Sequence, residues 1–448
     1  MNHHADAFAA RLRSNRLSRR DALWLFGAST AAVAGLQGCA TSPVTGKSIL
    51  VGLSEEQERA IDAQQAPHQF SADLGPVQDA GLNEYVADVG RQLHQNSHRP
   101  QMPYSYRVLN ANYVNAYTFP AGAVGVTRGI MTELDDEAQL AALLGHELGH
   151  VNARHSAQRQ GQAMVAQAVV AGIGVAASNS QWGALAGLGS QIGASALLAS
   201  YSRDNEREAD ALGQEYMVRC GYPASGMTAL HQMLVEQEKE QPSLLATMFS
   251  SHPMSTERRD TAKRLAETRY ATSLKAPAQR ERYMDHTAGL RRIKPTIDAC
   301  KNGETAMARK AYQEAQNQFA TAIKRTPQDY AANLRMAQCL QAQGHTKEAQ
   351  RYVETAKTIY PQEAQARKLS GVLALSAKDP ARAYAELDAF DRMLPGDPGV
   401  TFLKGISAEG MGDRLRAAQH YNAYLRATRS GEAAQYSASR LKAWGYLK

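Results

Sequence analysis

The sequence predicts a mainly α chain in two parts: an α+β core with a small sheet, then an α-solenoid. Three observations predict it. First, residues 296–429 repeat with a step of 34: Pro327, Pro361 and Pro395 keep it, as do Ala315, Ala349, Ala383 and Ala417, and Gly303, Ala337, Gly371 and Gly405. Second, 104–109 and 123–127 alternate and are β-rich, with Pro and Gly between them that suit a turn or sheet edge. Third, helical periodicity begins near Ser54, returns at 81–94 and resumes from Asp135 through His155 and beyond. A length of 448 residues implies two or three domains.

The repeat has a packing explanation. Each unit is two antiparallel helices, small residues let them approach closely, and a Pro closes the second. A 34-residue period with this pattern resembles the tetratricopeptide repeat. Four units fit, with Arg429 replacing the last Pro and 431–447 forming a capping helix.

The N-terminus reads as an address. Arg11, Arg13, Arg16, Arg19 and Arg20 precede an apolar run from Ala22 to Leu36, shorter than the about 20 residues that span a bilayer. Leu36-Gln37-Gly38-Cys39 resembles a bacterial lipobox, making 1–38 a signal peptide and Cys39 the lipidated residue; Ser18-Arg19-Arg20 resembles a twin-arginine export signal, with a plain secretory signal as the alternative. Residues 39–62 then read as a tether, 63–290 as the catalytic domain and 296–448 as the repeats with their cap. Residues 163–199, rich in Ala, Gly, Val and Leu, read as small-residue helices packed on the core, with a membrane hairpin as the alternative. Cys220, Cys300 and Cys339 allow one disulfide, Cys300 with Cys339, or three free thiols. Net charge is +7, of which the first 38 residues hold five Arg against two Asp. No dense basic stripe follows, so nucleic acid is not an expected partner.

The chemistry is concentrated at His146-Glu147-Leu148-Gly149-His150. Histidines four apart share a helix face, so both imidazoles can bind one ion, and Glu147 beside them can take a proton from water. Neutral imidazoles and a carboxylate suit one Zn²⁺ per chain, which brings the pKa of a water towards about 7. The flanking 140–151 is small and apolar, so these charged groups would be costly there without a task. A third histidine in the H-E-x-x-H-x-x-G-x-x-H pattern is excluded: Ala153 and Ser156 occupy the needed positions, and His155 is out of register. Residues 201–210, Y-S-R-D-N-E-R-E-A-D, supply Glu206 as third ligand and Asp210, four further on, as the acceptor that fixes a ligand histidine's tautomer.

H-E-L-G-H-V followed by S-R-x-x-E-x-E-A-D resembles the metallopeptidase family of the heat-shock protease HtpX and the CAAX prenyl protease, with its gluzincin-like active-site helix. The resemblance covers roughly 45–265 and implies His146, His150 and Glu206 as zinc ligands, Glu147 as base and Asp210 as their support. It also implies that His252 and Arg258, in Ser251-His252-Pro253, lie near the metal and stabilise an oxyanion; His252 has a second reading, as a ligand in the open position that holds the enzyme latent. Asn115 and Ala116 resemble the family's substrate-binding edge strand. The family's HtpX and prenyl-protease members span membranes several times and this chain does not, so prenylated substrates are not implied. With the lipobox and the repeats, the resemblance is to a soluble periplasmic branch. It implies a zinc endopeptidase of the bacterial envelope, lipid-anchored to the outer membrane, that hydrolyses misfolded or stalled exported proteins. Its repeats would dock on an outer-membrane assembly machine. The alternative is a tetratricopeptide chaperone or scaffold lipoprotein with a latent protease site.

Overall fold

A computed structural model describes residues 39–164, 201–240, 252–253 and 255–447. The export signal at 1–38, and all but the first two residues of the small-residue stretch 163–199, lie outside the described residues.

The segment expected to be a tether is folded. β1 (Cys39–Thr41) pairs antiparallel with β2 (Ser48–Leu50), and Ala40 and Ile49 pack on Val51, Leu53 and Ala157. α1 (Glu55–Ala72) follows, started by a capping box between Ser54 and Gln57. The local Ser/Thr/Pro/Gly composition suggests loop; the apolar residues spaced through it pack on Ala157, just beyond the end of the catalytic helix.

α2 (Ala80–Gln95) leads into a three-stranded sheet of β3 (Ser105–Leu109), β4 (Ala116–Thr118) and β5 (Ala123–Thr127). Its order is β3-β5-β4, with β3 parallel and β4 antiparallel to β5, so β4 is an edge. After a single helical turn, α3 (Arg128–Met131), comes α4 (Glu137–Ala153), capped by Asp136 and buried along its whole length. α5 (Arg203–Arg219), α6 (Ser225–Glu240), α7 (Thr256–Glu267) and α8 (Arg280–Arg292) complete this half. Its core joins the sheet, α2, α4, α5 and α6.

The solenoid runs α9 (Lys294–Ala308), α10 (Tyr312–Arg325), α11 (Tyr330–Ala342), α12 (Thr346–Ile359), α13 (Gln365–Ser376), α14 (Pro380–Met393), α15 (Pro398–Gly410) and α16 (Arg414–Ala427), capped by α17 (Glu432–Ala443). The chain is thus mainly α, an α+β core followed by tetratricopeptide-type helix pairs. The small residues do what the repeat implied. A Cβ on Gly303, Gly371 or Gly405 would lie 2.5, 2.6 and 2.6 Å from Phe319, Leu387 and Tyr421, each sixteen residues on. The unit with Ala337 instead of Gly carries the smaller Val353 at that place. Cys220, Cys300 and Cys339 are free thiols.

Each turn between paired helices passes through a left-handed residue: Lys310, Gly344, Lys378 and Gly412, again at a step of 34, with φ of 61, 79, 61 and 79°. A Cβ on Gly344 or Gly412 would meet nothing within 4 Å, so only backbone conformation distinguishes the two residue types there. Gly344→Ala is therefore expected to cost about 1 kcal/mol, and Lys378→Gly to gain a few tenths. Urea unfolding midpoints of the two variants check both signs.

The two halves are joined by buried polar contacts. Arg128 makes a bidentate pair with Asp329 at 2.6 and 3.1 Å, and both side chains are almost wholly buried. Ser71 of α1 donates to Glu363 at 2.5 Å, and Lys301 reaches Glu133 at 3.1 Å.

Candidate active site

Two helices make the site. α4 and α5 cross antiparallel at glycines. A Cβ on Gly145 would sit 2.9 Å from the Gly213 carbonyl oxygen, and one on Gly149 2.6 Å from that of Ala209. This closeness explains why glycines occur in a buried helix despite their poor propensity. It also lets short acidic side chains from α5 reach the histidines of α4.

Gly149→Ala tests the point. In an open helix the change would stabilise by up to about 1 kcal/mol. Here the new methyl meets backbone, so a loss of about 1–3 kcal/mol is expected, with weaker metal retention as α5 is pushed away. Thermal midpoint and metal content of the purified variant check it.

The side chains converge. His146 Nε2 and His150 Nε2 are 3.1 Å apart. Glu206 Oε2 lies 3.5 Å from the first and its Oε1 3.3 Å from the second. His252 Nδ1 is 3.2 Å from both His146 Nε2 and Glu206 Oε1. One ligand atom from each of these four buried residues lies within 4.8 Å of the others. Three imidazole nitrogens facing one another cannot all be satisfied by mutual hydrogen bonds, since each neutral ring carries one proton. A cation satisfies all of them at once.

Glu147 adds a second sign. It is 1 % exposed, and neither carboxylate oxygen has a hydrogen-bond partner among the described residues. His252 Nε2 lies 3.8 Å from its Oε1. Burial pushes the Glu147 carboxyl up from its ordinary value, against the pull of His252 and His146. Burial also holds His150 well below the usual imidazole range, hence neutral and fit to ligate. These donors suit a metal ion with an adjacent proton acceptor.

Around them sits a ring of supports. Asp210 Oδ1 is 2.9 Å from His146 Nδ1. Burial would raise the Asp210 carboxyl, yet His231 and Arg258 hold it well below the carboxylate range. Arg258 was expected to face an oxyanion, and its geometry corrects that. Nε and Nη2 bond Asp210 at 2.6 and 2.7 Å, while Nη1 reaches Glu206 at 2.7 Å and the Pro253 carbonyl at 2.9 Å. A guanidinium so engaged braces Glu206 and Asp210.

Three residues escaped the sequence reading: His231, 3.2 Å from Asp210; Tyr201, stacked on His150 at 3.9 Å; and His155, whose Nδ1 lies 2.9 Å from His150 Nδ1. His155 was set aside as out of register for a third ligand, and it lies behind a ligand instead. Nothing local marks His231 or Tyr201.

Asn115 and Ala116 stand at the start of β4, which packs on α4. Thr127 N–H donates to Asn115 and Phe119 N–H to Ala123, so 115, 117 and 119 face β5. By alternation, the backbone groups of Ala116 and Thr118 point away from the sheet. All three strand residues are nonetheless buried.

A buried H-E-x-x-H helix whose histidines meet a glutamate from a second helix, α5, defines a metallopeptidase. Residues 80–266 match the model of peptidase family M48, and 306–373 match a tetratricopeptide repeat. The metalloprotease YcaL of Escherichia coli K12 is 31 % identical over 212 residues, covering 46 % of this chain and 78 % of YcaL. The β-barrel assembly-enhancing protease of Yersinia pestis is 29 % identical over 232 residues, 50 % of this chain and 47 % of that protein. That of Escherichia coli K12 is 26 % identical over 190 residues, 41 % and 38 %. The match thus spans about half the length, or less, of these β-barrel assembly-enhancing relatives. The chain belongs to peptidase family M48.

Proposed function

We propose that this chain is a zinc endopeptidase of the bacterial envelope, with His146, His150 and Glu206 holding one Zn²⁺ and Glu147 as general base. The observation that carries this reading is the convergence of the four buried donors beside a carboxylate with no hydrogen-bond partner among the described residues. Two or three neutral imidazoles with a carboxylate form a zinc donor set. Bound there, zinc supplies Lewis acidity towards water and a peptide carbonyl. Glu147 accepts the proton of the attacking water and returns one to the leaving amine nitrogen. Asp210 holds the proton on His146 Nδ1 so that Nε2 faces the ion, and Arg258 keeps both carboxylates in place. The outward backbone groups of Ala116 and Thr118 would bind an extended substrate by strand addition, which reads little side-chain identity.

Several observations support an envelope setting. Cys39 is exposed and follows the lipobox-like residues, so a lipid there would anchor the chain to the outer membrane from the periplasm, after secretory or twin-arginine export. No helix among the described residues is long and apolar enough to cross a membrane. The names of the relatives, β-barrel assembly-enhancing proteases, favour the reading that misfolded or stalled exported proteins are this chain's substrates. They also favour repeats that dock on an outer-membrane assembly machine.

One observation favours a second reading. His252 Nδ1 occupies the fourth donor place, where a water or substrate oxygen would bind. With His252 there the site is latent, and the chain would act as a tetratricopeptide scaffold or chaperone until released. Cleavage of an unfolded, disulfide-free protein by the full chain separates the two. The protease reading expects cleavage that a chelator stops and zinc restores. Cleavage only after His252→Ala would establish latency; none from either, with zinc bound, would put the scaffold reading ahead.

A further inference from the structure

We propose that His155 is a positioning residue of the metal centre, relaying the Glu208 carboxylate to His150. The inference rests on the ligand assignment just made and extends it to residues outside that set.

The geometry is a single line of hydrogen bonds. His150 turns Nε2 towards His146 and Glu206, so the proton of its neutral ring lies on Nδ1. That nitrogen is 2.9 Å from His155 Nδ1, which must then be the acceptor. The His155 proton consequently sits on Nε2, 3.1 Å from Glu208 Oε2, to which it donates. One choice of tautomer satisfies the whole chain. The two metal-facing histidines are thus supported differently. His146 has a carboxylate directly, from Asp210. His150 has one through an intervening imidazole, ending on a glutamate whose side chain is 38 % exposed.

The backbone is shaped for this. Five residues along a straight helix, His155 would lie about 140° around the axis from His150. It does not, because Arg154, with φ of 59°, ends α4 and redirects the chain. A left-handed arginine is uncommon, and it is held by Glu58 at 2.8 Å and the Leu53 carbonyl at 2.8 Å. His155 itself is fully buried, and both its ring nitrogens lie within hydrogen-bond distance of a partner.

The test is the zinc affinity of the full chain, stripped of metal and titrated in competition with a chromogenic chelator. The thermal midpoint of the metal-free protein is read alongside. His155→Ala should weaken zinc binding roughly 10- to 100-fold, the range for loss of such a partner. His155→Gln should restore most of it, since its amide oxygen accepts from His150 and its NH₂ donates to Glu208. Glu208→Ala should weaken binding several-fold, with little change in the metal-free midpoint. A purely structural His155 would lower that midpoint and leave affinity alone. Parental affinity in His155→Ala, or a glutamine variant as weak as alanine, overturns the proposal. Should His155→Ala not fold, parental affinity in Glu208→Ala overturns it. A parent that takes up no zinc would sink the ligand assignment and the relay together. A parent whose binding depends on His150 but not on His155 or Glu208 sinks the relay alone.

Discussion

Glu147→Gln is expected to lower the rate of peptide cleavage by roughly 100- to 10,000-fold, the range for loss of a general base, while zinc remains bound. The two side chains have nearly the same shape, so packing on α4 is kept. What changes is the ability to accept a proton. Glu147 also makes a distinctive prediction about stability. Its carboxylate is buried, with neither oxygen hydrogen-bonded among the described residues, an arrangement that penalises the charged form. Removing that charge should leave the metal-free protein at least as stable as the parent. Matched cleavage rates and metal-free thermal midpoints test both parts. Lost activity with lost zinc would instead make Glu147 a structural support.

Arg258→Ala is expected to have the largest effect on stability. The guanidinium joins Glu206 and Asp210, which come from successive turns of α5 and are both buried. Without it, two carboxylates stay in the interior with only histidines to balance them. Breaking a buried ion pair from one side costs about 3–5 kcal/mol. Zinc offsets part of this by binding Glu206, so the metal-free variant should suffer more than the loaded one. Urea unfolding with and without zinc measures the difference. Arg258→Lys should rescue little, because one ammonium cannot span both carboxylates in the geometry the planar fork uses. Equal stability of parent and alanine variant would show that Arg258 is dispensable to the site's architecture.

How much of this was legible in the sequence follows the range of the interactions. The solenoid was visible because each of its contacts recurs at a fixed step. Gly303 against Phe319 and Gly405 against Tyr421 are the same contact written twice. The grouping of His146, Glu147 and His150 was visible because four residues make one helical turn. Glu206 and Asp210 were visible as a second such turn, and the structure brings the two turns together. What sequence could not show were contacts made only by folding. His231 reaches Asp210 from another helix, and Tyr201 stacks on His150 from just before α5. His155 is out of register for a ligand, and its place beside His150 depends on one left-handed residue, Arg154, that no spacing pattern shows. Arg258 was placed near the metal by resemblance, but its engagement by Asp210 and Glu206 depends on where α7 starts. The tether reading failed for a related reason. The small residues at 40–47 look like loop until β2 pairs with β1 and Ala40 and Ile49 find Ala157 to cover.

The central claim is that His146, His150 and Glu206 hold one zinc ion. Its most direct test is the metal content of the purified full chain, by elemental analysis, beside His150→Ala and Glu206→Gln. The expected result is one zinc per chain in the parent and a large loss in each variant, with both still folded by circular dichroism. Zinc retained in full by either folded variant would contradict the assignment, as would a parent that binds none when zinc is supplied.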